Sequence, residues 1–258
     1  MYNGSDGEKD LDETVALEPR GAYATAKHYA EIALLEAAAQ GLEPVVLRQG
    51  TAFGFSTRMR FDLVVNTFVK EALIRNRLVV HGDGGAWRPL VGVQDLAKAH
   101  VACLEAPSSL VAGEIFNVVH RSYQIRDLAE EVAQTLGQLG RPVEIVRGPE
   151  PSLVRNYRCL GNKLQDRLDL ALPTTPSEAV AALIEMYGST PIEELGHPKY
   201  QNIAWMELLQ SARSAYGAMW NIFEPVDSPP APDGEGPAAA RPLAAEPAAE
   251  PTQQSTRV

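Results

Sequence analysis

Tyr23 and Lys27 are the residues of this 258-residue sequence whose types and spacing best suit chemistry. Side chains four residues apart on a helix lie on one face, one turn apart. An ammonium group near a tyrosine favours the phenolate over the phenol. Such a tyrosine can act as a general base on a substrate hydroxyl within hydrogen-bond reach. The same spacing also occurs in solvated surface pairs, so the two residues alone leave both interpretations open.

The residues around this pair predict a helix that is followed by a buried strand. Residues 22–40 are rich in Ala, Leu and Glu and end at Gly41, which predicts a helix with a glycine stop. Residues 44–48 form a short apolar run that is typical of a buried strand, and residues 114–119 form another. The order helix, short loop, buried strand favours a parallel α/β sheet.

Charge and composition exclude several classes of partner. The formal net charge of −10 and the pI of about 5.0 argue against binding nucleic acid or an anionic membrane through bulk charge. Cys103 and Cys159 stand in no metal-binding spacing, so we expect no metal site. No apolar run reaches the length of a membrane span, and the residues after Met1 lack the features of a signal peptide. We therefore expect a cytoplasmic protein.

The C-terminal residues 225–258 differ in composition from the rest of the chain. They are rich in proline and alanine and contain no aromatic residue. Such a segment cannot bury enough apolar surface to offset the entropy lost on ordering. We expect this tail to be disordered.

Further motifs follow the Tyr–Lys helix in a definite order. They lie at residues 47–54 (LRQGTAFG), 60–66 (RFDLVVN), 82–97, 113–118 (GEIFNV) and 155–158 (RNYR). This order resembles that of the extended short-chain dehydrogenases/reductases, in particular the NAD-dependent epimerase/dehydratase family that acts on nucleotide-sugars. In that family a YxxxK helix precedes a strand that ends in a pattern like LRxxxxxG. The combination is far more specific than any single motif.

The resemblance implies a role for each matching residue near the cofactor. Tyr23 and Lys27 would be the catalytic pair, with Tyr23 taking the proton while hydride leaves the substrate for the nicotinamide. Lys27 would also hold the hydroxyls of the nicotinamide ribose. Thr51 and Ala52 would pack beside the nicotinamide. The expected cofactor is NAD or NADP.

Two further residues would bind the substrate. The resemblance implies that Asn66 and Arg88 face the diphosphate of a nucleotide-sugar, and a guanidinium group suits phosphate oxygens. Other interpretations stay open for both residues. Arg88 can instead form an ion pair with Asp83 or Asp95, and Asn66 can be exposed or cap its helix. Asp95 itself is expected to cap a helix rather than bind a ligand.

The resemblance also predicts how the chain is divided. Residues 1–123 would be part of a Rossmann core, with a substrate-side insertion at 56–92, and residues 124–224 would form a small α/β substrate domain. The family's first strands and their GxxGxxG turn, which bind the dinucleotide phosphates, have no counterpart here. We therefore expect the C-terminal part of a Rossmann-type parallel sheet, marginal stability, and no detectable NAD binding by the chain alone.

Three functions remain open on these grounds. The first is a nucleotide-sugar epimerase or dehydratase whose N-terminal half is missing or lies on a separate chain. The second is a non-catalytic remnant that keeps a nucleotide-sugar pocket. The third is an interaction protein that uses an exposed sheet edge and the helix at 200–223. The expected partners are a nucleotide-sugar and either a second copy of the chain or a separate N-terminal half.

Overall fold

A computed structural model describes residues 9–150 and 155–223, with side chains as far as residue 216. The chain divides into a compact unit of residues 1–210 and a second unit of residues 211–258. In the second unit the described part is the helical segment 211–223. The tail predicted to be disordered, 225–258, lies outside the described residues.

The first unit contains short strands that pair mainly in parallel. In chain order they are β1 (Asp10–Leu11), β2 (Val46–Gln49), β3 (Thr51–Phe53), β4 (Arg77–His81), β5 (Trp87–Gly92), β6 (Ile115–Val118), β7 (Arg121–Gln124), β8 (Glu144–Gly148) and β9 (Arg158–Cys159). The parallel pairs are β1 with β9, β2 with β6, β3 with β5 and β4 with β8. β7 adds to β5 in antiparallel orientation. The mixed α/β class with parallel strands is as predicted.

Helices connect and cover these strands. In chain order they are α1 (Ala22–Ala37), α2 (Val64–Arg75), α3 (Val93–Glu105), α4 (Ser108–Val111), α5 (Ile125–Gln138), α6 (Asn162–Leu168), α7 (Pro176–Tyr187), α8 (Ile192–Leu195) and α9 (Asn202–Phe223). Short 3-10 turns follow α1 at Ala38–Gln40 and precede α9 at Pro198–Tyr200. No helix among the described residues is both long enough and apolar enough to cross a membrane.

Two hydrophobic clusters hold most of the buried side chains. The larger one joins α2, β4, α5 and α7, and its fully buried members include Val65, Val69, Leu78, Leu128, Val132, Leu136, Val180 and Leu183. The smaller one joins β5, β6, α3 and α6 through Val91, Ala99, Phe116, Val118 and Leu164. The larger cluster therefore lies on the side of the chain predicted to bind substrate.

The β2–β6 pair and the β3–β5 pair approach each other closely at Gly50. β2 and β3 are separated by Gly50, whose backbone N–H donates to the carbonyl of Val118 at 2.9 Å. A Cβ at this position would lie 3.0 Å from the Pro89 carbonyl oxygen, which belongs to β5. A glycine therefore allows the backbone to pass between the β2–β6 pair and the β3–β5 pair.

The helix and strand predicted around the Tyr–Lys pair are present, but the strand is not fully buried. The predicted helix 22–40 is α1 with its 3-10 turn, and it ends at Gly41 with φ of 92°. The strand predicted at 44–48 is β2, whose residues are half-buried or exposed. Among the described residues β2 pairs on one side, with β6, and this explains its exposure.

Candidate active site

Tyr23 and Lys27 lie together on the surface of α1. The Lys27 Nζ sits 5.8 Å from the centre of the Tyr23 ring, which confirms the predicted shared face. Both side chains are exposed, Tyr23 to 73%. Contact between them agrees with a catalytic pair and with a solvated pair, so the surroundings must distinguish the two.

Tyr23 faces elements from the substrate side of the chain. Hydrogen bonding to Asp62 raises the pKa of Arg60, and the negative charge of an ionised Tyr23 adds to this increase. Burial raises the pKa of Tyr157, and Tyr23 contributes there as well. An ionised Tyr23 therefore acts electrostatically on both residues.

Tyr157 and Arg88 each affect the pKa of the other. The positive charge of Arg88 opposes the burial that raises the pKa of Tyr157. Burial in turn lowers the pKa of Arg88, which ionised Tyr157 counteracts and Arg155 reinforces. Two phenols and two guanidinium groups thus share one region of the first unit. The R-x-Y motif had been noted in the sequence, but no role had been assigned to Tyr157.

Asn66 is buried and links the end of β3 to the Arg60 segment. It is 2% exposed, which removes the alternative of an exposed residue. Its Oδ1 accepts from the Gly54 backbone N–H at 2.9 Å, and its Nδ2 donates to the Arg60 carbonyl at 2.9 Å. Thr51 and Ala52 lie just before this junction, half-buried in β3. Asn66 therefore positions both segments, and its proposed contact with a diphosphate is not tested by these bonds.

Arg88 does not form the alternative ion pair. Within the described residues no carboxylate pairs with its guanidinium group, and its Nη1 donates to the Trp87 carbonyl at 2.8 Å. Asp83 accepts instead from the Gly85 backbone N–H at 2.9 Å. The remaining donors of a half-buried guanidinium group stay available to an anion.

Asp95 has a different role from the predicted helix cap. It lies in the first turn of α3 but makes no side-chain cap bond to that helix. Its fully buried carboxylate accepts from the Thr174 backbone N–H at 2.7 Å and pairs with Lys98 at 3.2 Å. Asp95 therefore holds the loop before α7 against α3. The sequence did not show this contact, because Thr174 lies 79 positions away from Asp95.

Two further residues of α1 follow the pair. Tyr29, the other tyrosine of α1, is 65% exposed. Glu31, one turn after Lys27, is buried and forms an ion pair with Arg48 at 2.6 Å. Arg48 belongs to the LRxxxxxG motif and could be singled out from the sequence. Its partner Glu31 could not, because no sequence pattern relates the two residues.

The two cysteines are buried and suited to packing rather than to reaction. Burial raises the pKa of the Cys159 thiol to about 12 and also raises the pKa of Cys103. Since the thiolate is the reactive form, we expect a thiol reagent to react slowly with the native chain at pH 8. The same reagent should react fast and fully after unfolding in urea. Fast labelling of the native chain would contradict this arrangement.

The residues predicted to contact the nicotinamide lie on α1 and β3. Tyr23 and Lys27 are open to a ligand, and Thr51 and Ala52 lie on the strand that pairs with the Arg88 strand. The phosphates of a dinucleotide require backbone N–H groups at a glycine-rich turn before a helix. The sequence contains no GxxGxxG turn to provide them. Among the described residues no group of His, Cys, Asp and Glu side chains forms a metal site.

Comparison with known proteins gives a family and a set of relatives. Residues 1–118 match the model of the NAD dependent epimerase/dehydratase family. The chain is 28% identical over 128 residues to the chloroplastic UDP-sulfoquinovose synthase of Spinacia oleracea, covering 44% of this chain and 27% of that protein. It is 30% identical over 119 residues to the UDP-sulfoquinovose synthase of Sulfolobus acidocaldarius, covering 41% and 30%. The chain thus spans less than a third of these relatives.

A solved structure shows the same fold over a larger part of the chain. The UDP-glucuronic acid 4-epimerase of Bacillus cereus, in complex with UDP-glucuronic acid and NAD, superposes with a TM-score of 0.61 at 20% identity. The match covers 75% of this chain and 59% of the epimerase chain. Over residues 1–118 the chain is therefore similar to the NAD dependent epimerase/dehydratase family, and it shares the fold of this epimerase.

Proposed function

We propose that this chain carries the catalytic and substrate side of an enzyme that oxidises a UDP-sugar with NAD or NADP as the first step of epimerisation or dehydration. The observation that carries the proposal is the half-buried Arg88 guanidinium group, which has no carboxylate partner among the described residues and is a candidate phosphate ligand. The contact of the Lys27 ammonium group with the Tyr23 ring supplies the candidate base. The synthases and the epimerase, named for UDP-sugars, support the substrate class.

In this proposal Tyr23 removes the proton from a sugar hydroxyl. The Lys27 ammonium, beside the Tyr23 ring, stabilises the negative charge that forms on the phenol oxygen. A nicotinamide cofactor, when bound, supplies the acceptor for the hydride that leaves the same carbon. Tyr23 then returns the proton when hydride comes back to the sugar. Proton transfer by a positioned side chain contributes roughly 10²–10⁴-fold to such a step.

Arg88 holds the diphosphate in this proposal. Its guanidinium group is half-buried and has no carboxylate partner among the described residues. A buried cation without a counter-charge is destabilised, and a bound anion removes this cost. Arg155 lies near enough to add positive charge to the same region.

A second candidate function is nucleotide-sugar binding without redox turnover by this chain alone. The exposure of Tyr23 and the missing GxxGxxG turn favour it. The two candidates differ in one measurement, the titration of the chain with NAD by calorimetry. Tight NAD binding supports the enzyme and contradicts our expectation for the isolated chain, whereas UDP-sugar binding without NAD binding supports the second candidate.

Replacing Arg88 with methionine tests the substrate site in either case. A hydrogen bond to a charged group contributes roughly 1.5–3 kcal/mol, so we expect UDP-glucose to bind at least about tenfold more weakly. The measurement is the Kd from calorimetry. Arg75→Gln is the matched control, because Arg75 pairs with Glu71 on the exposed surface of α2. Equal affinity of the Arg88 variant and the unsubstituted chain would remove Arg88 from the site.

A further inference from the structure

Arg48 and Glu31 form a buried, two-pronged ion pair between β2 and α1. The Arg48 Nη2 donates to one oxygen of Glu31 at 2.6 Å, and its Nε donates to the other at 3.0 Å. The two side chains are 8% and 6% exposed. The function proposed above assigns no role to either residue.

The pair includes one of the two buried side chains of the helix that carries Tyr23. Of the 16 described residues of α1, two are buried, Ala24 and Glu31. Packing of an apolar face normally fixes the position and rotation of a helix, and α1 has little of it. The rotation of α1 about its own axis therefore depends on Glu31.

Arg48 also holds the segment that leads into α1. Its Nη1 donates to the Glu13 carbonyl at 3.2 Å. The Glu13 carboxylate in turn accepts from the backbone N–H of Asn117, which is the partner of Arg48 in the β2–β6 register. One guanidinium group thus contacts both α1 and the loop before it.

The spacing on α1 creates a competition for Lys27. Glu31 follows Lys27 by four residues, and Lys27 follows Tyr23 by four, so the three side chains succeed one another on one face of the helix. A free Glu31 carboxylate would attract the Lys27 ammonium as an i,i+4 pair. Because Arg48 occupies both oxygens of Glu31, Lys27 is left beside the Tyr23 ring.

We propose that Arg48 is a positioning residue that keeps Lys27 beside Tyr23 by holding the Glu31 carboxylate. The inference rests on the proposed function, in which Lys27 stabilises the charge on Tyr23. The arginine of the LRxxxxxG motif thus helps to place the catalytic lysine on the preceding helix, α1. The task requires the fork of a guanidinium group, which engages both carboxylate oxygens at once.

The test follows the Lys27 Hε protons by NMR in the full chain labelled with ¹³C-lysine. An aromatic ring shifts the resonances of protons that lie near its face, so the Lys27 signal reports its contact with Tyr23. We expect Arg48→Gln to move this signal towards the position that it takes in Tyr23→Leu. We expect the double variant Arg48→Gln, Glu31→Gln to restore the original position, because the competing carboxylate is gone.

The controls separate positioning from stability and from the proposed function. Arg75→Gln, which breaks a surface pair on α2, should leave the Lys27 signal unchanged. A folded Arg48→Gln chain with a lower melting temperature and an unmoved Lys27 signal overturns the inference, as does a folded double variant without recovery. If Arg48→Gln does not fold, Arg48→Lys keeps the charge without the fork and should move the signal in the same direction. A Tyr23→Leu variant with an unmoved Lys27 signal contradicts the catalytic pair itself.

Discussion

When the chain is assayed together with a dinucleotide-binding half, replacement of Tyr23 by phenylalanine is expected to lower NAD-linked turnover of a UDP-sugar by about 100-fold or more, since general-base catalysis contributes roughly 10²–10⁴-fold. The ring remains, so its contact with Lys27 and the exposed surface of α1 change little. What is lost is the single oxygen that accepts the sugar proton. The loss should therefore fall on kcat and leave the affinity for the UDP-sugar near its original value.

The measurement is the absorbance of reduced nicotinamide at 340 nm, with UDP-sugar binding followed in parallel by calorimetry. Tyr29→Phe is the matched control, because Tyr29 lies on the same helix and is also exposed. It should retain full turnover. Full turnover in the Tyr23 variant would exclude Tyr23 as the base. An unsubstituted chain that binds UDP-sugars but never reduces NAD would favour the second candidate function instead.

The second large effect is expected at Gly92, the last residue of β5. A Cβ on this residue would lie 2.6 Å from the Thr174 Cβ and 2.8 Å from its methyl group. Thr174 cannot easily withdraw, because its backbone N–H is bonded to the buried Asp95 carboxylate. Overpacking of a filled site costs roughly 1–3 kcal/mol, and we expect Gly92→Ala to reduce the free energy of unfolding by that amount.

A double variant identifies the cause of this loss. Thr174→Gly removes the atoms that meet the new Cβ, so the double variant should recover stability relative to the sum of the single variants. The measurement is unfolding in urea followed by circular dichroism. Gly137→Ala is the control, because no atom lies within 4 Å of a Cβ built at that helical position. A Gly92→Ala chain as stable as the original would show that the loop with Thr174 yields freely.

Elements with strong local patterns were predictable from the sequence. Apolar residues recur on one face over residues 124–138, a pattern that predicts a helix, and the structure forms α5 there (Ile125–Gln138). The run Pro176-Ser177-Glu178 predicts a helix start, and α7 begins there with a capping box of Thr175 and Glu178. β3 and β7, of three and four residues, were not predicted, because runs of that length carry too little periodicity.

In the candidate site, too, local contacts could be predicted from the sequence and long-range contacts could not. The Tyr23–Lys27 contact follows from helical spacing alone, and the structure confirms it. The partners of Asn66 and Asp95 depend on residues that fold next to them from 12 and 79 positions away. The sequence left Asn66 open as a substrate ligand or as an exposed or capping residue and favoured a helix cap for Asp95, and both side chains are buried. Burial of a polar side chain requires a partner, and the partner is set by strand pairing and loop packing.

The amino-acid sequence by itself determined the helical face with Tyr23 and Lys27, the α/β rhythm and the family pattern, since each depends on residues a few positions apart. The tertiary structure alone decided that Arg48 meets Glu31, that Asn66 joins Gly54 to Arg60, and that Arg88 has no carboxylate partner among the described residues. Those contacts arise only when β2 pairs with β6 and β3 with β5. A hydrogen bond or ion pair acts over a few ångströms, and the chain must fold before distant residues come that close.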